Sequence, residues 1–526
     1  MLTPMRVFLS GPMGAGKSSV GRRLAERRGV PFVDLDAEIA RAAGTSIEAL
    51  FRREGERGFR RREREAALGL REGACVVALG GGAVLDPVVR HACVDTGALI
   101  TLMASPAELA RRVGAQDGGA SRPLLEGDAL EGQLAALVEA RGEAYAECHA
   151  EVRTDGLDVD GACERVQAVV EDLPVPVLLG RRTYRVEIGA GTRARVTDRA
   201  AVASGRVVLV RDGGPERPWP EDVRGRLEAA GRDVTVVAIE GTEATKTSAT
   251  AAQIWDAALA AGVDRDALVV GVGGGVLGDL TAFAASTLLR GVALGQVPTT
   301  LLAMVDSSVG GKTGFNRPAG KNLVGTFYQP RFVLCDVETL ETLPIEEVRA
   351  GLAEVVKSAW LDGEASVAQL ERDAEALAAC EPDAVVRAIR MAVSLKARVV
   401  REDEREAGRR MLLNLGHTIG HGLEAAAHYR GLRHGEAVAL GMIAALRVGR
   451  ALGRGAADGG ERLTRLLEAL RLPTDLDARL GADALRFIGA DKKRRGDQIA
   501  FVVPGDPGDT AVVPLSLQTI ERAVSR

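Results

Sequence analysis

A chain of 526 residues is longer than one hydrophobic core serves, so two to four domains are expected. With 46% hydrophobic and 27% charged residues it reads as an ordinary globular protein, and a net charge of −4 argues against a nucleic-acid partner, which would call for a basic surplus. No stretch has the unbroken apolar length of a membrane span, residues Met1–Ser10 lack the three-part layout of a secretory signal, and six scattered cysteines without a C-x-x-C pair fit reduced thiols in the cytoplasm.

In chain order, Val7–Ser10 predicts a strand that runs into Gly11-Pro-Met-Gly14-Ala15-Gly16-Lys17-Ser18-Ser19, and a helix follows. The loop fits G-x-x-x-x-G-K-[ST] in the strand–loop–helix setting that the motif requires. Its backbone N–H groups cradle phosphates, Lys17 reaches the terminal ones and the Ser18 hydroxyl joins a Mg²⁺ shell. The competing explanation is a glycine-rich turn with an incidental Lys-Ser. Downstream, Asp34 and Asp36 close a strand and suit Mg²⁺ and a sugar-like hydroxyl, and Arg60 stands on a helix near Glu63. Gly80-Gly81-Gly82 ends the strand Cys75–Leu79, another strand is expected at Leu99–Leu102, and Ser121-Arg122-Pro reads as a lid with a charge-stabilising arginine.

Each of these signals is weak alone. Together and in this order they resemble shikimate kinase, over residues 1 to about 170. The resemblance implies ATP with Mg²⁺, bound through Gly14, Ala15, Gly16, Lys17, Ser18, Ser19 and Arg122, with Ser18 and Asp34 serving the ion. It implies shikimate held by Asp36, Arg60, Gly81 and Arg141, with Asp36 assisting deprotonation and Arg122 stabilising the transferring phosphoryl group. Other small P-loop kinases, for gluconate or nucleotides, are the alternative for this half.

Pro174 and Pro176 interrupt the pattern and a strand-like run restarts at Tyr184, which places a domain boundary there. Strands are expected at Val207–Val210, Val234–Ile239 and Leu268–Val272, and beyond about Leu343 the text becomes helical. Val270–Asp279, a strand followed by glycines and a helix, is a dinucleotide-type turn without the G-x-G-x-x-G spacing. Arg290, Asp306, Lys312, Lys321 and Asn322 then stand among small-residue loops, a setting for a phosphorylated, oxygen-rich substrate. Only eight of the 68 basic residues are lysines, which favours a task for each. Four of the six histidines (417, 421, 428 and 434) fall in one short stretch, with His417 and His421 on one helical face and Glu354 and Lys357 on another. Two histidines and a glutamate make the open ligand set of catalytic zinc.

Over about residues 178 to 526 the sequence is similar to 3-dehydroquinate synthase. The resemblance implies Zn²⁺ (or Co²⁺) on Glu354, His417 and His434, with His421 catalytic. It implies NAD on Glu243, Lys246, Gly274, Gly275, Val276, Asp279, Thr299, Thr300, Lys321 and Thr342. Arg290, Asp306, Lys312, Lys321, Asn322, Lys357, Lys396, Arg410, Asn414, His421 and Lys492 would meet a seven-carbon keto-sugar phosphate, with Lys312, Asn322, Lys357, Asp306 and His421 as the catalytic group. The expected fold is α/β: a P-loop kinase with a parallel sheet (1–173), an α/β NAD-binding domain (178–342) and a mostly helical metal-binding domain (343–526). The whole would be a bifunctional enzyme of the shikimate route, cytoplasmic and homodimeric through the synthase half, with small-molecule substrates and no nucleic-acid or membrane partner. Another sugar-phosphate cyclase, or a metal-dependent polyol dehydrogenase, is the alternative for the C-terminal half.

Overall fold

Apolar runs bounded by glycine become parallel strands in the computed structural model, which describes residues 6–70, 73–116, 129–214, 217–427, 431–455, 458–481, 484, 487, 494–495 and 498–525. The expected site residues Arg122 and Lys492, with His428, lie outside these. The chain divides into two compact units, Met1–Arg185 and Val186–Arg526.

The first unit is built on β1 (Arg6–Ser10), β2 (Phe32–Asp34), β3 (Val76–Ala78), β4 (Gly97–Met103) and β5 (Ala150–Arg153), in the order β2-β3-β1-β4-β5. Every pairing is parallel, with Leu9 and Asp34 both opposite Ala78. Val7, Leu9, Val76 and Val77 are inaccessible to solvent, as expected for strands covered on both faces by helices. Parallel pairing brings all the C-terminal strand ends to one edge of the sheet. The glycine loop after β1, the acids at the end of β2 and the glycines after β3 therefore open side by side.

The second unit carries five parallel strands in the order Phe332–Asp336, Ala293–Pro298, Leu268–Gly273, Val207–Asp212 and Val234–Ile239. From Ile345 onward it is dominated by helices, notably Ile345–Asp362, Pro382–Glu402, His417–Ala426 and His434–Ala451. These pack with backbones almost touching. A Cβ on Gly435 would lie 1.8 Å from the Ala350 carbonyl oxygen, and one on Gly441 would lie 1.9 Å from that of Gly416. Helix His434–Ala451 is thereby seated against both of its neighbours. Reading the region after Leu343 as helical missed the antiparallel strands Gln498–Pro504 and Thr510–Ser516, which pair in full register around a turn at Gly505–Asp509. Their prolines hid the β pattern.

Candidate active sites

In the first unit, Gly16 (φ 93°) turns the glycine loop into helix Lys17–Arg28, whose N-terminus has no side-chain cap and keeps its N–H groups for an anion. Lys17 Nζ donates to the carbonyls of Gly11 (2.8 Å) and Pro12 (3.0 Å), folded back over the loop. Burial pulls its pKa down to about 8, against the nearby Asp36 and Asp34 carboxylates. The Ser18 hydroxyl donates to Asp34 Oδ2 at 2.8 Å, joining the two groups expected at Mg²⁺.

Asp36, Arg60, Glu63, Gly80–Gly82 and Arg141 converge beside that loop. Arg60 donates to Glu63 Oε2 (2.7 Å), while Arg141 Nη1 (2.9 Å) and the Tyr145 hydroxyl (2.8 Å) both donate to the Gly81 carbonyl. The glycines leave room for these side-chain ends. A Cβ on Gly80 would sit 2.4 Å from Glu63 Oε1, and one on Gly82 2.3 Å from Arg60 Nη1. Burial and the Asp34 charge raise the Asp36 carboxyl above its ordinary range, and burial does the same to Glu63, whose Oε1 is buried without a hydrogen-bond partner among the described residues. Two guanidinium groups and two carboxyls of raised pKa facing a phosphate loop can bind an anionic polyol and place one of its hydroxyls for phosphoryl transfer.

In the second unit, Gly273 and Gly274 end a buried strand, and helix Gly275–Thr287 (which contains Val276) starts without a side-chain cap. They line a cavity of about 520 Å³ with Thr299, Thr300, Asp212 and Trp219. Thr342 borders it through its hydroxyl, which accepts from Trp219 Nε1 (3.0 Å) and Arg217 (3.4 Å). The uncapped helix start suits a pyrophosphate, and the Asp212 carboxylate suits ribose hydroxyls. Sequence reasoning passed over Asp212 and Trp219. The available signal was an acid at a strand end followed by Gly213-Gly214.

Lys246 is buried, and its ammonium reaches Asp279 Oδ2 (2.5 Å) and Asn322 Oδ1 (2.8 Å). Glu243 accepts from Asn316 at 2.7 Å and lies 3.9 Å from Lys321. Lys396 donates to the carboxylate of Asp306 at 2.5 Å. Burial would raise the Asp306 carboxyl, but Lys396 and Lys357 outweigh it and hold it below the usual carboxylate range. Lys312 (2.6 Å) and Asn414 (3.0 Å) meet on the two oxygens of Glu406. Arg410, 1% exposed, donates to the Gly310 and Glu404 carbonyls and so fastens its loop beside Lys312. Among the described residues no hydrogen bond or ion pair ties Arg290, exposed in a turn at φ 68°, to this cluster.

The third grouping joins three helices. Glu354 is 1% exposed, and its Oε2 is paired with Lys357. Its Oε1 is buried with no hydrogen-bond partner among the described residues, 3.6 Å from His417 Nε2 and 3.9 Å from His434 Nε2. One ligand atom from each of the three falls within 4.8 Å of the others. A buried carboxylate oxygen left unsatisfied between two imidazole nitrogens is costly unless a cation completes it, so the residues fit a divalent metal. His421 lies next to them on the exposed side, its ring centroid 5.4 Å from that of His417.

The family model described as shikimate kinase matches residues 13–171, and those for the N- and C-terminal parts of 3-dehydroquinate synthase match 236–350 and 351–494. The 3-dehydroquinate synthase of Pelobacter propionicus is 43% identical over 347 residues, 65% of this chain and 96% of its own length. The 2-epi-5-epi-valiolone synthase of Streptomyces hygroscopicus, solved with NAD⁺ and Zn²⁺ bound, is 29% identical with a TM-score of 0.59, over 65% of this chain and 95% of that one. The shikimate kinase of Acinetobacter baumannii, solved with shikimate, is 34% identical over 32% of this chain and 93% of that one, with a TM-score of 0.30.

Proposed function

Since the chain belongs to the 3-dehydroquinate synthase family over its C-terminal two thirds and carries a shikimate kinase ahead of it, and is therefore a bifunctional enzyme of the shikimate route, we propose how its residues divide the work. The kinase unit transfers the γ-phosphoryl group of ATP to shikimate, and the synthase unit converts 3-deoxy-arabino-heptulosonate 7-phosphate to 3-dehydroquinate and phosphate.

In the kinase, Arg60 and Arg141 clamp the shikimate carboxylate, with the Gly81 backbone against the ring. Asp36 accepts a hydrogen bond from the attacking hydroxyl and takes up its proton as the new P–O bond forms and ADP leaves. Its raised pKa makes it a stronger base for that exchange. The glycine loop and Lys17 hold the phosphates, Ser18 and Asp34 would hold Mg²⁺, and Arg122 would cover the transferring group. Catalysis here is mainly positioning and charge stabilisation.

In the synthase, the uncapped helix start at Gly274 and Gly275, with Val276, Thr299, Thr300 and Thr342, would hold NAD, and Glu243, Lys246, Asp279 and Lys321 would fix its polar groups. Glu354, His417 and His434 would hold Zn²⁺ or Co²⁺. When bound, NAD would supply a transient hydride acceptor and the metal a Lewis acid for the substrate alcohol. Lys312, Lys396, Asn414, Arg410 and Arg290, with Lys492, bind the phosphate and carboxylate of the substrate. Asp306 keeps the ammoniums of Lys396 and Lys357 aligned, and His421 with Asn322 relays protons as phosphate is eliminated.

The observation that carries this reading is the unsatisfied Glu354 Oε1 facing the Nε2 atoms of His417 and His434. The test supplies the heptulosonate phosphate with NAD⁺ and Zn²⁺ and follows phosphate and NADH together, alongside ATP-plus-shikimate turnover. Phosphate release without lasting NADH, abolished by a chelator, supports it. Accumulating NADH without phosphate would make the C-terminal half a polyol dehydrogenase. Among the described residues no helix is long and apolar enough to cross a membrane. A cytoplasmic homodimer joined through the synthase half completes the reading. Sedimentation at one chain per particle would remove the dimer.

A further inference from the structure

Glu424 is an acid to which the family resemblance gives no role, on a short helix that starts with a metal-type histidine. It is 5% exposed, and both of its oxygens are engaged. Oε2 lies 3.3 Å from His434 Nδ1, and Oε1 lies 3.8 Å from the ammonium of Lys321, which stands on the hairpin strand Gly320–Val324. The opposite nitrogen of the same ring, His434 Nε2, faces Glu354 Oε1. His417 is arranged alike, with Nδ1 3.2 Å from the Leu415 carbonyl and Nε2 toward Glu354. A carbonyl oxygen only accepts, so the His417 proton belongs on Nδ1 and the lone pair on Nε2. A carboxylate at Nδ1 imposes the same choice on His434. Imidazole binds a metal through the nitrogen that carries no proton, so the partner of the other nitrogen decides which atom is offered.

We propose that Glu424 is the positioning residue of the metal centre. It fixes His434 as the Nδ1–H tautomer, with Nε2 turned toward Glu354, and Lys321 anchors its second oxygen. The inference rests on Glu354, His417 and His434 being the metal ligands. A rival use of the same side chain exists, because ligand atoms of His421, Glu424 and His434 also lie within 4.8 Å of one another. A second dication there would have to sit beside the Lys321 ammonium and take the Nδ1 proton from His434. Both requirements count against it.

Glutamine at 424 is the informative change because it preserves volume. Next to Lys321 its amide oxygen turns to the ammonium and its NH₂ to His434 Nδ1. That favours the opposite tautomer and withdraws the Nε2 lone pair. Full-length wild type and Glu424→Gln are stripped of metal and titrated with Co²⁺ against a chelating competitor, with the visible d–d absorption recorded. The expected result is one Co²⁺ per wild-type chain, an affinity about 10- to 100-fold weaker in the variant and a changed d–d band. The far-UV circular dichroism and the shikimate kinase rate of the same molecules should be unchanged, which separates mispositioning from misfolding. Glu424→Asp, with the charge kept on a shorter arm, should recover part of the affinity. An unchanged affinity and spectrum in Glu424→Gln overturns the proposal. So do two Co²⁺ per wild-type chain with one lost in the variant, since Glu424 would then be a ligand. A wild type that takes up no Co²⁺ defeats the ligand assignment itself, a result distinguishable from failure at Glu424 alone.

Discussion

One methyl group at Gly82 would lie 2.3 Å from Arg60 Nη1, against the guanidinium proposed to hold the shikimate carboxylate. Gly82→Ala must push that arginine aside, so KM for shikimate should rise by about tenfold or more while the synthase rate stays put. Unchanged shikimate kinetics would show that Arg60 does not hold the substrate. Lys17 carries the pH dependence of nucleotide binding. Its folded pKa near 8 lies below the ordinary lysine value, so its charge is lost as pH rises through 8, and bound triphosphate restores it. ATP binding should therefore take up a proton at about pH 8.5 and none at about pH 6.5, and affinity should fall as pH rises across that window. Calorimetry in two buffers of different ionisation enthalpy reads the uptake directly, and equal heats at the higher pH would contradict it.

Among the elements, helix His434–Ala451 shows what close packing does for the metal site. It begins with His434, proposed as a ligand, lies against the helix that carries Glu354, and touches the start of the helix that carries His417. Gly441→Ala would wedge a methyl into the Gly416 carbonyl, so we expect about 1–3 kcal/mol lost from the synthase unit and a larger share of metal lost. Thermal melts with and without Zn²⁺ measure both, and an unchanged metal-dependent shift would mean that the helices accommodate the group. What the sequence revealed and what it hid divide along these lines. The glycine loop, the paired acids at 34 and 36 and the imidazoles at 417 and 421 are neighbours in the chain, and local spacing exposes them. Tyr145 reaches Gly81 across 64 positions, and Trp219 reaches Thr342 across 123. No local pattern announces a pair so far apart, because the sheet alone brings the partners together. Glu424 was hidden differently: it reads as one more acid on a helix until its two partners are known.

At the scale of the whole molecule, the proposed function draws the reacting groups of each activity from one unit. Lys17→Ala should abolish shikimate phosphorylation and leave dehydroquinate formation within about twofold, and His417→Ala should do the reverse. Loss of both activities in either variant would reveal a dependence between the units. The product of the synthase is not the substrate of the kinase, so no intermediate passes from one site to the other. An equimolar mixture of the two full-length variants should then run the complete route with the same lag as wild type, and a shorter lag for wild type would argue for transfer.

Two catalysts on one polypeptide are also made in a fixed ratio. Whatever the promoter does, a cell obtains one kinase for each synthase, so flux through the two steps can be matched only by turnover number and saturation, not by expression. A lesion that sends one unit to proteolysis also lowers the abundance of the other, so a mutation in the synthase core can limit shikimate phosphorylation without touching the kinase.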